Sequence, residues 1–234
     1  MEISVIIPTY NEELSIAKTL EALSRLVNVS EVIVVDGGST DLTVKLVKNF
    51  TQIKNLQLIE MDEPNRGKQL HEGTKYAKGD IFWFVHADTR PQQGCGRQIK
   101  GVMKYREVVG GNFEVIFSGE SRWAKFMTWL YPHFRSWGLC YGDSAFFIGR
   151  IAYGEVGGFK PIAAFEDLDM YHRLRKQGRF FHLSQTVTTS SRRFENRSFI
   201  LTFARWSLFQ VLYWFKFPPN KLAKYYLPVR KDTI

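Results

Sequence analysis

The first ninety residues alternate short apolar runs with helix-like segments, and each run breaks off at a polar or acidic residue. That order commits a chain to parallel strands joined by crossover helices, because a parallel pair cannot be closed by a tight turn. Residues 4–8 read as the first strand, 31–35 as a second ending at Asp36, and 56–60 as a third. Residues 81–86 form a fourth, which delivers Ala87 and Asp88 at its end and is apolar on both faces, as a central strand requires. Between them, Asn11 sits where an N-cap is wanted, Glu12 and Glu13 suit the positive end of a helix dipole, and Leu14, Ala17, Leu20 and Leu23 make an apolar stripe. Residues 37–41 form a turn that caps a helix reaching Phe50, and another helix covers 69–78. The fold class expected is α/β, with a mostly parallel, Rossmann-like central sheet flanked by helices.

Past Pro91 the pattern shifts to amphipathic helices and less regular strands. Gly110 to Phe113 opens one strand, Asp143 to Ile148 forms another, and a helix runs from Glu166 to Gly178. The stretch 199–217 is rich in Leu, Phe and Trp but is interrupted by Arg205, Gln210 and Lys216. It is a weak transmembrane candidate and a better interfacial or packed helix. No linker or repeat divides the 234 residues, so one domain is expected. Within it, 1–90 would bind one ligand at the strand ends, 91–195 would face a second, and 196–234 would be helical and suited to a membrane interface. A net charge of +9 favours anionic partners. Cys95 and Cys140 form no CxxC or disulfide framework, and the N-terminus lacks a secretory pattern, so a cytoplasmic location, with the inner membrane face as an option, is the expectation.

Ligands of open α/β sheets bind outside the carboxyl ends of the strands. The run from Pro8 through Tyr10 to Glu12, Asp36 and Asp88 all fall at such ends, which brings distant residues to one rim. An Asp in that position is more often a turn former, but three polar strand ends together favour a site. The turn after the first strand has no GxGxxG, and Gly67-Lys68 lacks the rest of a P-loop, so dinucleotide redox chemistry and ATP hydrolysis are unsupported.

Ile6-Ile7-Pro8-Thr9-Tyr10-Asn11-Glu12, Val34-Val35-Asp36-Gly37-Gly38-Ser39-Thr40-Asp41 and Asn65-Arg66-Gly67-Lys68 resemble successive donor-site motifs of family-2 glycosyltransferases with the GT-A fold. The similarity extends through His86-Ala87-Asp88 to Glu166-Asp167. It implies that Pro8, Tyr10 and Glu12 line a nucleoside pocket, that Asp36 bonds the base, and that Arg66 lies near base or phosphate, with Ala87 beside the donor. Asp88 would be the last acid of the DxD metal motif, holding Mn²⁺ or Mg²⁺ together with diphosphate oxygens. His86 stands where the family usually has the first Asp.

The Glu166-Asp167 pair takes the ED position of that pattern. The resemblance makes Asp167 the general base of inverting transfer, with Glu166 as neighbour or substitute. Arg66, Lys68, Arg192 and Arg193 are cations able to face a departing diphosphate. Gly142-Asp143-Ser144 resembles an acceptor-side segment of small bacterial family-2 enzymes, against an even chance of a simple turn. The QxxRW signature of processive members is missing, which favours a single transfer from a UDP- or GDP-linked sugar to a hydroxyl, with a lipid-borne one among the options. Two rival classes stay open: a nucleotidyltransferase, which would want a Gly-rich basic loop after strand one, and a non-catalytic basic module for nucleic acid or membrane, which leaves the strand-end acids unexplained.

Overall fold

The computed structural model describes residues 1–192, 198–223 and 225. Eight strands form one sheet in the order β3-β2-β1-β4-β7-β6-β8-β5. They are β1 (Ile3–Thr9), β2 (Glu31–Asp36), β3 (Leu56–Glu60), β4 (Ile81–Phe84), β5 (Thr89–Pro91), β6 (Val108–Phe117), β7 (Phe147–Gly149) and β8 (Arg179–Thr189). β1 to β4 pair in parallel, whereas β7 runs antiparallel to both β4 and β6, and β8 is parallel to β6 and antiparallel to β5.

The near-continuous apolar strands are explained by burial on both faces. Ile3, Val5, Ile7, Val32, Val34 and Trp83 point to one core, where α1 (Ile16–Ser24), α2 (Thr43–Lys48), α4 (Cys95–Val102) and α5 (Arg122–Ser136) cover them. Ile6, Ile33, Val35, Phe82 and Phe84 alternate to the other, under α3 (Arg66–Tyr76), α6 (Arg150–Glu155) and α7 (Glu166–Leu174). Two further helices, α8 (Phe199–Trp214) and α9 (Pro219–Ala223), close the described chain. Phe199 at the start of α8 stacks on Trp123 of α5 with centroids 4.2 Å apart. Both cysteines are buried, and burial pushes each thiol up to about 12. No helix among the described residues is long and apolar enough to cross a membrane.

Several local expectations need correcting. Asn11 is not the cap of α1: its φ of 49° is left-handed, whereas an N-cap is extended, and the helix begins at Ile16 after Glu12 O accepts from the N–H groups of Ser15 and Ile16. Leu14, placed in the apolar stripe, is consequently exposed. α2 begins only at Thr43, and α3 begins three residues earlier than expected because the Asn65 side chain accepts from Lys68 N at 3.0 Å. β4 stops at Phe84, since Val85 N still bonds Ile6 O but Thr89 N turns back to His86 O. Asp143 lies on a 3₁₀ turn, Gly142–Ser144, and not at a strand start; Ala145 is left-handed and β7 begins only at Phe147. α7 ends at Leu174, where Gln177 and Gly178 N–H groups fold back onto Leu174 O.

Candidate active site

The loops at the carboxyl ends of β1, β2 and β4 meet, as the parallel register of Thr9 with Asp36 and Ile6 with Phe84 dictates. Asp36 is buried and held from three sides. Its Oδ1 accepts from Thr9 Oγ1 at 3.0 Å and Ser39 Oγ at 2.5 Å, and its Oδ2 accepts from Ser39 N at 2.7 Å. Asn11, in its left-handed turn, ties the two loops together: its N–H donates to Ser39 Oγ at 2.7 Å, and its side-chain oxygen accepts from Thr40 N at 2.8 Å. Behind them Gln69 donates to both Thr9 O and Val35 O, at 2.7 and 2.8 Å. Pro8, Tyr10 and Glu12 therefore share one end of the sheet with Asp36.

Ala87 and Asp88 follow β4. Ala87 O accepts from Thr19 of α1 at 2.7 Å. Arg192, beyond β8, donates through Nη2 to both oxygens of Glu12 at 2.8 and 2.6 Å, lies 3.3 Å from Asp88 Oδ2 and reaches Ser15 through Nη1. One guanidinium thus joins the loop after β1 to the acid after β4. Arg193 lies outside the described residues. Lys68 is turned outward and pairs with Glu63 at 2.8 Å.

The second group of acids is organised around α7. Phe165 precedes it with a φ of 61°, in the left-handed region that a bulky residue adopts only when its surroundings hold it there. Its ring stacks on Tyr213 of α8 at 4.6 Å. Glu166 and Asp167 then open the helix, both buried. Arg66, at the start of α3, donates Nε to Glu166 Oε1 and lies 3.4 Å from Asp167 Oδ2 through Nη2. Asp167 also accepts from Gly142 N at 2.6 Å and Leu168 N at 2.8 Å. Burial raises the Asp167 carboxyl and the neighbouring Glu166 charge raises it further, against the lowering by Arg66 and the two backbone donors; it stands at about 6. Burial works against the Arg66 charge, and the two carboxylates outweigh it, so that guanidinium is held more firmly protonated than usual. Further along α7, Asp169 and Arg173 form an i,i+4 ion pair at 2.7 Å.

Two glycines make this packing. A Cβ on Gly142 would lie 2.6 Å from His86 Nε2 and 3.4 Å from Asp167 Oδ2, so only glycine lets the His86 ring and the Asp167 carboxylate approach one turn. A Cβ on Gly67 would run into Lys160 O and within 2.7 Å of Ile162 O, in the loop that delivers Phe165 and the acid pair. His86 Nδ1 is 3.0 Å from Asp143 Oδ1. His86, Asp143 and Asp167 therefore form one neighbourhood.

Arg66, Asp88, Asp143 and Asp167 line one cavity of about 460 Å³. Among the described residues no group of three His, Cys, Asp or Glu is arranged to hold a metal. Asp88 nonetheless offers hard carboxylate oxygens of the kind Mn²⁺ and Mg²⁺ take, so the donor set fits a cation whose remaining positions are filled by phosphate and water. The residues that build α5 and the cavity walls carry no motif that singled them out beforehand; their signal was the density of aromatic residues between Trp123 and Tyr141. Gln69 had none, and Gly142 was marked only as part of the Gly142-Asp143-Ser144 segment.

The chain is 36% identical over 97 residues to a dolichyl N-acetyl-α-D-glucosaminyl phosphate 3-β-D-2,3-diacetamido-2,3-dideoxy-β-D-glucuronosyltransferase of Methanococcus voltae, covering 39% of this chain and 30% of that one. The fold matches Staphylococcus aureus TarS residues 1–349, solved in complex with UDP-GlcNAc, with a TM-score of 0.68 at 19% identity over 82% of this chain and 59% of that one. It also matches the Pyrobaculum calidifontis mannosyltransferase PcManGT, solved with GDP-Man and Mn²⁺, with a TM-score of 0.62 at 20% identity over 80% and 56% of the respective chains. The fold is thereby GT-A, and the chain spans under half the length of the first curated relatives it matches. Residues 4–162 match Glycosyl transferase family 2; with the sheet, the strand-end loops and the acids arranged as above, the chain belongs to that family.

Proposed function

We propose that the protein moves a single sugar, with inversion, from a UDP- or GDP-linked donor to a hydroxyl acceptor. The observation that carries this reading is that Asp88 and Asp167, from opposite halves of the sheet, line the same cavity. The donor lies along the loops after β1 and β2. Asp36, held by Thr9 and Ser39 through both lone pairs of Oδ1 and one of Oδ2, keeps a single Oδ2 lone pair for a base edge. Pro8, Tyr10 and Glu12 form the adjoining wall, Ala87 flanks the sugar side, and Lys68 stands at the outer edge. Arg192, already bridging Glu12 and Asp88, supplies positive charge where a diphosphate departs. A divalent cation at Asp88, when bound, neutralises developing charge on that leaving group. Complexes of the structural relatives with UDP-GlcNAc and with GDP-Man and Mn²⁺ support the donor class and the cation.

On the opposite side Asp167 takes the proton of the acceptor hydroxyl. The oxygen attacks the anomeric carbon as the bond to the diphosphate breaks, and the electron pair leaves with the phosphate oxygen. Asp167 suits this task better than Glu166, because it faces the cavity while Glu166 is spent on Arg66. Its raised pKa brings it closer to the operating range of a base. Asp143, braced by His86, stands on the acceptor side. The same reading sets the protein against a membrane surface: Trp129, Trp137, Trp214 and Phe215 are exposed on α5 and at the end of α8 in a chain of net charge +9.

The test is calorimetric titration of UDP- and GDP-sugars with and without Mn²⁺. The wild-type protein should bind one of them in a metal-dependent way, and Asp88→Ala should remove the metal dependence. Equal affinity with and without metal in the wild type would overturn the assignment of Asp88.

A further inference from the structure

The cavity does not end at the acids. Beyond Asp88, Asp143, Asp167 and Arg66 its walls become apolar, with Phe117 from β6, Met127 and Phe134 from α5, and Phe203, Trp206 and Phe209 from α8. Polar groups in these walls are partly spent on each other: Tyr141 donates to Gln210 Oε1 at 2.8 Å. Trp137 and Trp214 also line the cavity and are 64% and 60% exposed, so the apolar wall continues out to the protein surface.

A space with an acidic inner end, apolar walls and an apolar mouth selects for a molecule of the same polarity. From this geometry we infer that the acceptor is a neutral alcohol with an apolar body, its hydroxyl at Asp167 and its hydrocarbon along α5 and α8. The inference rests on the reading of Asp167 as base and names the substrate class of that site. A sugar or polyol acceptor would leave its hydroxyl groups against Phe134, Phe203 and Trp206 without partners, which costs about 1–3 kcal/mol for each buried group. A phosphorylated head would set its negative charge against Asp143 and Asp167, while Arg66 is engaged with Glu166 and Asp167, and Arg192 and the cation proposed at Asp88 are committed to the donor's diphosphate. The volume of about 460 Å³ is that of a small-molecule pocket, enough for the head and the first part of a chain. The exposed mouth lets a longer chain remain in an apolar phase outside.

Alcohol of this kind reaches the protein either free in solution or from a lipid surface, and one experiment separates the two. Straight-chain alcohols of four to ten carbons, glycerol, decyl phosphate and oleyl alcohol carried in phosphatidylglycerol vesicles are offered with the nucleotide-sugar identified by calorimetry and Mn²⁺. Release of the nucleoside diphosphate is followed. KM should fall about fourfold per added methylene, the equivalent of ~0.8 kcal/mol, until the cavity is filled. Turnover of dissolved decanol marks a free alcohol as sufficient, and turnover of oleyl alcohol in vesicles alone marks a lipid source. Ser207→Trp, which adds bulk to the cavity from an exposed position on α8, should flatten the chain-length gradient. In parallel, decanol is titrated into the protein without donor while tryptophan emission is read, since Trp137, Trp206 and Trp214 line the cavity. A saturable blue shift is expected. Preference for glycerol or decyl phosphate over decanol, a flat chain-length series in the wild type, or no emission change overturns the inference. If no nucleotide-sugar binds, the donor reading fails and the emission titration still decides the acceptor class.

Discussion

Asp167 combines two properties that pull against each other in a carboxylate. Burial makes its charge costly, and Arg66, Gly142 N and Leu168 N hold that charge in place. The balance leaves a group that is ionised at neutral pH yet still basic. On the proposed reading of Asp167 as base, Asp167→Asn keeps the size of the side chain and removes the proton acceptor, so transfer should fall by about 10²–10⁴-fold while donor binding is retained. Calorimetry on the variant beside a transfer assay checks both halves. The acid limb follows from the sign of the shift: the base must be deprotonated, its pKa is raised to about 6, and kcat should therefore decline as pH drops through that value. An ordinary aspartate would hold its rate two units lower. At this scale Asp36 and Asp88 were legible in the sequence because each follows an apolar run, whereas Asp167 was marked only by its resemblance to the family's ED pair. The contacts that tune them were not: Arg66 reads as a phosphate contact and proves to bridge Glu166 and Asp167, a pairing across the fold that no local pattern encodes.

The strands of the parallel half were readable because burial on both faces writes itself as continuous Val and Ile, and β2 and β3 lie where the residues place them. The starts of α1 and β7 were harder, since Asn11 and Ala145 take left-handed conformations in loops that build the site. A residue outside its usual backbone region leaves no periodic trace. These loops also depend on glycine at one contact between elements. Gly67 at the start of α3 touches the carbonyls of Lys160 and Ile162, so Gly67→Ala must push that loop, and with it Phe165 and the acid pair, away from α3. A loss of about 1–3 kcal/mol in stability is expected from the overpacking. Thermal unfolding measures it, and a fall in kcat larger than the fraction unfolded at assay temperature would show the displaced loop.

On the scale of the whole molecule, the excess of positive charge and the exposed aromatic residues of α5 and the end of α8 act together. The protein should cosediment with phosphatidylglycerol vesicles, release as salt rises, and bind less after Trp137→Ala and Trp214→Ala; retention of both variants at wild-type levels would separate these residues from the membrane. The single sheet and its α/β class were legible from the alternation of runs, but the order of its second half was not, because antiparallel strands inserted among parallel ones leave no mark in the strands themselves. That order has a temporal consequence. β8 sits between β6 and β5, pairing Thr89 with Thr189 and Val108 with Arg179, so two strands made early wait for one made late. Until β8 emerges, β6 keeps an open ladder of backbone groups and the neighbourhood of Asp88 is unfinished. A growing chain of this protein can pair its parallel strands β1 to β4 first and close the cavity beside Asp88 only once β8 has been made.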